Sequence, residues 1–264
     1  MLMNFFSTAY YHREIIRALA LRDFQSRFAG TLVGPLWAFA HPLAIIGVFY
    51  FVFSVGFKAT APEGVPFILW FSVGLMAWFY FSEALPSAAN SIVTNSYLVK
   101  KTIFPVEILP IVQIVSSMLP HLIFLLLVIF VLLANNIHLE SFRLLVFYYM
   151  LCTTFLLLGL GWLLAALEVF YRDISQVLKV IMNLLFWMTP IVWDPKMMPE
   201  KYEWLFLWNP MHYIVDGYRG VLIYAQPKWP DTHETIIFWC TAFAFLALGS
   251  KVFQHLKPEF ADVL

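Results

Sequence analysis

Long apolar stretches without charged residues alternate with short polar segments along the 264-residue chain. Residues 64–82 and 108–139 contain no Asp, Glu, Lys or Arg, and a helix needs about 20 such residues to cross the hydrocarbon core of a membrane. The pattern predicts six transmembrane helices, at residues 36–57, 67–90, 108–135, 144–167, 174–193 and 235–253. The predicted fold is therefore an all-α integral membrane protein, with residues 1–264 forming a single transmembrane domain.

The fifth predicted span is the least regular, because only Val180 to Trp193 is free of charge. Placing Lys179 at the cytoplasmic edge, where its long side chain reaches the interface, extends the span back to Ile174 and to about 20 residues. Beyond it, the stretch Trp204 to Tyr224 is broken at Asn209-Pro210 and at Gly217. We predict a re-entrant pair of short outer helices within residues 196–224, where protein or water must cover the irregular backbone.

Two cytoplasmic helices are predicted outside the membrane. Residues 8–28 mix apolar and charged positions and form an interfacial helix, although the apolar stripe is not clean at 100° per residue. Between the second and third spans, Pro105 and Pro110 exclude a plain helix, whereas Ser96 to Ile103 is long enough for about two helical turns. A short helix on the cytoplasmic surface fits this segment, and an ordinary basic loop is the alternative.

Composition agrees with a membrane protein, because 62% of the residues are hydrophobic and 12% are charged, with a mean hydropathy of +0.80. The formal net charge of zero gives no electrostatic basis for binding nucleic acid. Cys152 and Cys240 lie in apolar runs and are expected to be small buried hydrophobic residues. No cleaved signal peptide is expected, since the first apolar run begins after Arg27.

Basic residues favour one side of the predicted membrane, which places both termini in the cytoplasm by the positive-inside rule. Ten lie inside: Arg13, Arg17, Arg22, Arg27, Lys100, Lys101, Arg172, Lys179, Lys251 and Lys257. Six lie outside: Lys58, Arg143, Lys196, Lys201, Arg219 and Lys228. We find no internal repeat, so an inverted-repeat secondary transporter gains no support.

Motifs for enzymatic chemistry are absent from the sequence. It has no GxxxxGK[ST] nucleotide-binding loop, no HExxH and no CxxC. We therefore predict no catalytic residues, no metal site and no cofactor in this chain. If the protein uses ATP, another chain must bind the ATP and its Mg²⁺. Glu83, Glu107 and Glu168 lie near predicted cytoplasmic ends of spans, whereas a proton pathway requires carboxylates near mid-membrane.

Aromatic residues are abundant in the first two spans, beyond what interfacial belts require. Flat aromatic faces can line a path for sugar rings, and core packing is the alternative. The candidates for lining such a path are Trp37, Tyr50, Phe53, Trp70, Trp78 and Tyr80.

Four stretches resemble, in the same order, the membrane subunit of type-2 ATP-binding-cassette exporters, particularly those that move lipid-linked polysaccharides. They are LVGPLWAFAHPL (Leu32 to Leu43), KKTIFPVEILP (Lys100 to Pro110), FYRDISQVLKV (Phe170 to Val180) and NPMHYIVDGYRGVLI (Asn209 to Ile223). The resemblance implies a homodimer in a bacterial inner membrane, in contact with membrane lipid and assembled with two copies of a separate ATPase. O-antigen, capsule and teichoic-acid exporters all remain possible.

The resemblance also implies that the short helix between spans two and three docks in a groove of the ATPase. The residues concerned are Ser96, Tyr97, Leu98, Val99, Lys100, Lys101 and Phe104. Arg22 and Arg27 lie where a pyrophosphate-linked lipid would arrive from the inner leaflet, and guanidinium groups match phosphate oxygens. The alternative is that these arginines satisfy the positive-inside bias or pair with Asp23.

Two rival functions remain open. A drug or small-lipid exporter of the same architecture would share the fold. A polytopic membrane glycosyltransferase or acyltransferase belongs to another class, and the sequence lacks the convergent acids, histidines or metal ligands that it would need.

Overall fold

The computed structural model describes residues 2–59, 61–101, 104–135, 137, 140–202, 204–224, 229 and 231–264. All regular secondary structure in these residues is helical, which confirms the predicted all-α class. In chain order the α-helices are α1 (Leu2–Tyr11), α2 (Arg13–Arg27), α3 (Trp37–Phe49), α4 (Phe67–Ala89), α5 (Ser91–Thr94), α6 (Ser96–Lys101), α7 (Ile108–Ala134), α8 (Val146–Phe170), α9 (Ile174–Met188), α10 (Trp204–Leu207), α11 (Pro210–Leu222), α12 (Thr232–Leu256) and α13 (Phe260–Val263). Residues 102–103 of the predicted cytoplasmic helix, the side chain of Lys101, and Lys228 lie outside the described part.

Five helical segments in the described residues are long and apolar enough to cross a membrane. They are Trp37–Gly56, Phe67–Ala89, Ile108–Ala134, Ser141–Phe170 and Thr232–Val263. The first joins α3 to a π-helical segment, Tyr50–Gly56, and the fourth joins a 3₁₀ turn, Ser141–Leu145, to α8. The six-span arrangement is compatible with this set, and its sixth member would be the shorter helix α9.

Helix α9 has 15 residues and ends at Met188, five residues before the predicted end of the fifth span. A 15-residue helix is about 22 Å long, which is less than a hydrocarbon core of about 30 Å. Pro190 explains the early end, because the residue before a proline is driven out of the helical region. Thr189 is accordingly extended, with φ −87° and ψ 128°.

Helix α4 is the centre of the bundle. Of its most apolar 18-residue window, 78% is buried, and it packs against α7, α8 and α11. Helices α8 and α12 form another close pair through Gly159, where an added Cβ would lie 2.5 Å from the backbone nitrogen of Leu246. Small residues thus let these two backbones approach closely.

The predicted re-entrant region contains a short helix, α10, followed by the buried helix α11. The Asn209 side chain caps α11 by accepting a hydrogen bond from the Met211 N–H at 3.0 Å. Pro210 occupies the first helical position, where its missing N–H costs no helical hydrogen bond. At the other end, buried Arg143 donates to the carbonyl oxygens of Val221 and Leu222.

The amino-terminal region forms two helices, α1 and α2, separated at His12, and this corrects the predicted single helix over residues 8–28. Helix α2 lies against α7, where Ile16 and Ala20 pack on Ile108 and Val112. This contact fixes the position of α2 against the bundle and brings its carboxyl-terminal turn close to α4 and α7.

Candidate functional site

A cavity of about 380 Å³ lies between α2, α3, α4 and α7. Its lining residues are Arg27, Phe28, Trp37, Ala38, His41, Pro42, Met76, Phe79, Tyr80, Ser82, Glu83, Ser117, Pro120, His121 and Phe124. Two of the four helices contain an internal proline at the cavity, Pro42 in α3 and Pro120 in α7. A proline inside a helix removes one backbone hydrogen bond and displaces the preceding turn, which opens space beside it.

The polar edge of the cavity is an ion-pair network that joins three helices. The Arg27 guanidinium pairs with Asp23, with a nitrogen–oxygen distance of 3.0 Å, and also with Glu83 of α4. It donates in addition to Ser117 Oγ of α7 at 3.3 Å. All three guanidinium nitrogens of Arg27 are therefore occupied.

Asp23 is held by more than its arginine. Ser116 Oγ donates to its carboxylate at 2.6 Å and Gln113 Nε2 at 3.1 Å. Burial alone would raise the pKa of Asp23, but these hydrogen bonds and the charge of Arg27 outweigh burial, so the pKa is lowered below its usual value. Asp23 is thus a stable anion that fastens α2 to α7.

This network bears on the two arginines considered for binding phosphate. Arg27 reaches the cavity but already pairs with two carboxylates, Asp23 and Glu83. Its pair with Asp23 is the one that the sequence analysis gave as the alternative to phosphate binding. Arg22 is exposed on α2 and is not among the cavity-lining residues. The structure therefore does not bring the two guanidinium groups together around one cavity.

The inner end of the cavity holds two stacked rings. Tyr80 and His121 have ring centroids 4.9 Å apart. The Tyr80 hydroxyl lies 3.1 Å from Thr154 Oγ1, and His121 Nε2 lies 3.0 Å from the Tyr218 hydroxyl. The buried His121 ring lies near the Met76 backbone, but its Nδ1 makes no hydrogen bond of good geometry with a described residue.

The six aromatic candidates fall into different environments. Trp37, at the mouth of the cavity, is 50% exposed, and Tyr80 lines its inner end. Tyr50 is exposed, whereas Phe53 is half-buried and stacks on Phe67 at 5.4 Å. Trp78 is buried against Phe81 and Phe186, at the edge of a second opening between α3, α4 and α9.

Trp70 belongs to a polar site that sequence reasoning missed. Arg219 is fully buried and lies over the Trp70 ring, 3.4 Å from its centroid. Its guanidinium donates to the carbonyl oxygens of Trp70, Pro190 and Ile191 at 3.2, 2.7 and 2.8 Å. Trp70 therefore faces the interior of the bundle and not an open path, and Arg219 is not a solvent-exposed outer basic residue. The available signal was two charged residues, Asp216 and Arg219, inside the otherwise largely apolar stretch that forms α11.

The cytoplasmic segment around α6 has an inward and an outward face. Leu98, Val99 and Phe104 are partly buried and pack on a core that includes Phe253 and Phe260. Tyr97 is 54% exposed and Lys100 is exposed. Leu98 and Phe104 therefore take part in packing within the chain, whereas Tyr97 and Lys100 face outward from this segment.

The carboxyl-terminal tail packs against α6 and the start of α7. Lys257 Nζ donates to Glu107 Oε2 at 2.7 Å, and Trp162 Nε1 donates to the Glu107 carbonyl at 3.0 Å. Helix α13 also contacts α6 directly. The start of α7, the tail and α6 therefore form one packed unit.

The sequence of the chain was compared with family models and with known proteins. A family model described as "ABC-2 type transporter" matches residues 1–223. An O-antigen export system permease protein RfbA from Klebsiella pneumoniae is 24% identical over 264 residues, covering 96% of each chain. A protein of the same name from Myxococcus xanthus is 25% identical with the same coverage. The polysialic acid transport protein KpsM from Escherichia coli is 23% identical over 79% of this chain and 81% of its own length.

Proposed function

We propose, from the premise that this chain belongs to the ABC-2 type transporter family, that it is the permease subunit of an ATP-driven polysaccharide exporter. Its substrate is a lipid-linked polysaccharide that crosses the inner membrane from the cytoplasm. The observation that carries this proposal is the similarity, over 96% of both chains, to permeases named for O-antigen export. The multi-pass apolar helices agree with a membrane-embedded translocation subunit.

The proposal assigns ATP hydrolysis to a separate partner. The sequence contains no nucleotide-binding loop, so ATP and Mg²⁺ are bound by an ATPase subunit, with two copies for a homodimer of this chain. The outward residues Tyr97 and Lys100 of α6 supply the contact. Because α6 packs on α13 and on the core beneath it, a push on α6 is transmitted into the bundle.

The role of this chain is transport without covalent chemistry. The described residues contain no group of three or more His, Cys, Asp or Glu side chains that could hold a metal ion. The two carboxylates at the polar edge of the cavity, Asp23 and Glu83, are instead paired with Arg27. Both termini, α6 and the carboxyl-terminal tail lie on the cytoplasmic side in this proposal.

Depletion of the protein in its own host tests this function. We expect surface polysaccharide to fall while lipid-linked polymer accumulates in the cytoplasmic leaflet, measured by extraction and immunoblotting. Affinity purification of the tagged chain in mild detergent should recover an ATPase. Unchanged surface polysaccharide on depletion contradicts the proposal, and accumulation of a drug or a small lipid in its place favours the rival exporter.

A further inference from the structure

The cavity between α2, α3, α4 and α7 has the dimensions of a ligand site. Its volume of about 380 Å³ falls within the roughly 300–1,000 Å³ typical of small-molecule pockets. Such pockets combine mostly apolar walls with a few fixed polar groups. Here the fixed groups are the Arg27–Glu83 pair and Ser117 at one end and His121 at the other.

The charges at this cavity disfavour an anionic ligand. One guanidinium, Arg27, faces two carboxylates, Asp23 and Glu83, and its nitrogens are occupied by them and by Ser117. A phosphate would have to displace a carboxylate from Arg27 and would lie close to the surplus negative charge. His41 of α3 also lines the cavity and is a titratable group close enough to Glu83 of α4 to interact with its charge. An uncharged ligand with hydroxyl groups meets no such repulsion and can donate to the carboxylate oxygens.

The walls suit a sugar ring. Trp37 presents a half-exposed indole at the mouth, and Phe79 and Tyr80 line the interior. The C–H face of a pyranose packs on an aromatic ring, while its hydroxyl groups point sideways to polar partners. The Ser82 and Ser117 side chains, which also line the cavity, supply hydroxyl groups that both donate and accept.

A buried histidine that lies near the Met76 backbone supplies a further polar group at the inner end of the cavity. This residue, His121, is 4% exposed and lines the cavity. A ligand hydroxyl that reaches the inner end of the cavity can hydrogen-bond to its ring.

We propose that this cavity binds one neutral pyranose unit of the exported glycan, within a single copy of the chain. The proposal rests on the proposed function and adds a sugar-recognising site to it. The ring lies on Trp37 and Phe79, its hydroxyl groups bond to Glu83 and Ser117, and one hydroxyl reaches His121. Arg27 is a positioning residue that orients Glu83.

A cysteine-protection assay on the full chain in membrane vesicles tests the site. In a Cys240→Ser background, His41→Cys places a reactive thiol at the rim, and Ser82→Cys provides a second reporter inside. Cys152 is buried. The probes are neutral methyl pyranosides of hexoses, N-acetylhexosamines and 6-deoxyhexoses, with inorganic pyrophosphate as the anionic comparison. The measured quantity is the rate of N-ethylmaleimide labelling.

We expect at least one methyl pyranoside to slow labelling about threefold at twice its Kd, because protection follows 1 + [L]/Kd. Trp37→Ala should abolish this protection, since Trp37 forms the mouth. Trp204→Ala is the matched control, because Trp204 is 56% exposed and is not among the cavity-lining residues. Pyrophosphate should give no protection.

Three results overturn the proposal: no glycoside protects either reporter, protection survives Trp37→Ala, or pyrophosphate protects better than the sugars. The last result would identify an anionic headgroup site. Surface polysaccharide measured in the same cells separates this inference from the proposed function. If export is normal but no glycoside protects the reporters, only the pyranose site is wrong. If export continues when this chain is depleted, the proposed function is wrong.

Discussion

At the scale of single residues, Asp23 shows how a charge can fasten an interfacial helix. Its carboxylate accepts hydrogen bonds from Ser116 and Gln113 and forms an ion pair with Arg27. Hydrogen bonds to a charged group contribute about 1.5–3 kcal/mol each. We predict that Asp23→Asn loosens α2 and raises amide hydrogen exchange across residues 13–27. Glu14→Gln is the control on the same helix, because its pair with Arg17 is exposed and exposed pairs contribute little. Equal exchange in the two variants would contradict the prediction.

Acidification offers a second test of Asp23. Its folded pKa is lowered, so its contribution is fully present above the usual value of 3.8. The contribution is lost as the pH falls through the lower folded pKa. After correction for intrinsic exchange, we predict constant protection of α2 from neutral pH to about pH 4 and a decline below it. A decline that begins well above pH 4 would contradict the assignment of this effect to Asp23.

Arg219 is the residue that sequence reasoning could not assign, because its partners lie 149 and 28–29 positions away. Nothing in the alternation of apolar residues shows that Trp70 turns inward to stack on a cation. The inward or outward direction of an aromatic side chain depends on long-range packing of this kind. Candidate path residues could therefore be named from composition but not oriented.

Gly74 provides a sharp test of this buried site. A Cβ there would lie 2.6 Å from a terminal nitrogen of Arg219, whereas a Cβ at Gly47 on α3 meets nothing within 4 Å. We predict that Gly74→Ala lowers the thermal unfolding temperature in detergent, since overpacking costs about 1–3 kcal/mol. Gly47→Ala should leave it unchanged or slightly raised, because alanine favours helix. Equal unfolding temperatures for both variants would argue against the packing around Arg219.

At the scale of elements, helix bounds followed from the sequence where charge and proline mark them. The segments predicted at 67–90 and 108–135 lie at Phe67–Ala89 and Ile108–Ala134. The predicted end of the fifth span was wrong, because Pro190 stops the helix inside an apolar run. Arg219 then hydrogen-bonds the carbonyl groups that this break leaves without helical partners, and that compensation is invisible in the local sequence.

Helix α6 separates two kinds of substitution. Tyr97→Ala removes an outward ring that is 54% exposed, and we predict reduced recovery of the ATPase on affinity purification with an unchanged unfolding temperature. Leu98→Ala removes an inward, partly buried side chain. We expect it to lower the unfolding temperature. The loss of unfolding free energy should be smaller than the about 2–5 kcal/mol that truncation of a fully buried leucine costs. If Tyr97→Ala keeps full ATPase recovery while Leu98→Ala loses it without loss of stability, the assigned faces are reversed.

At the scale of the whole molecule, the distribution of charge constrains the topology more than any contact does. The exposed residues Lys58 and Glu140 flank the same proposed outer side, while Lys100 and Lys251 flank the cytoplasmic side. Arg143 was also expected outside, but it is buried against the end of α11 and cannot serve as an accessibility probe. Glu140, three positions earlier, is exposed and replaces it.

We predict that, in a Cys240→Ser background, Lys58→Cys and Glu140→Cys react with a membrane-impermeant maleimide in intact spheroplasts. Lys100→Cys and Lys251→Cys should react only after the membrane is opened, because positive charge near the ends of spans is retained in the cytoplasm. Cys152 stays silent because it is buried. Labelling of Lys100→Cys in intact spheroplasts would invert the topology and remove α6 from contact with any cytoplasmic ATPase. Labelling of both Lys58→Cys and Lys251→Cys in intact spheroplasts would instead require an even number of crossings between them, and so contradict the five crossings that the six-span arrangement places there.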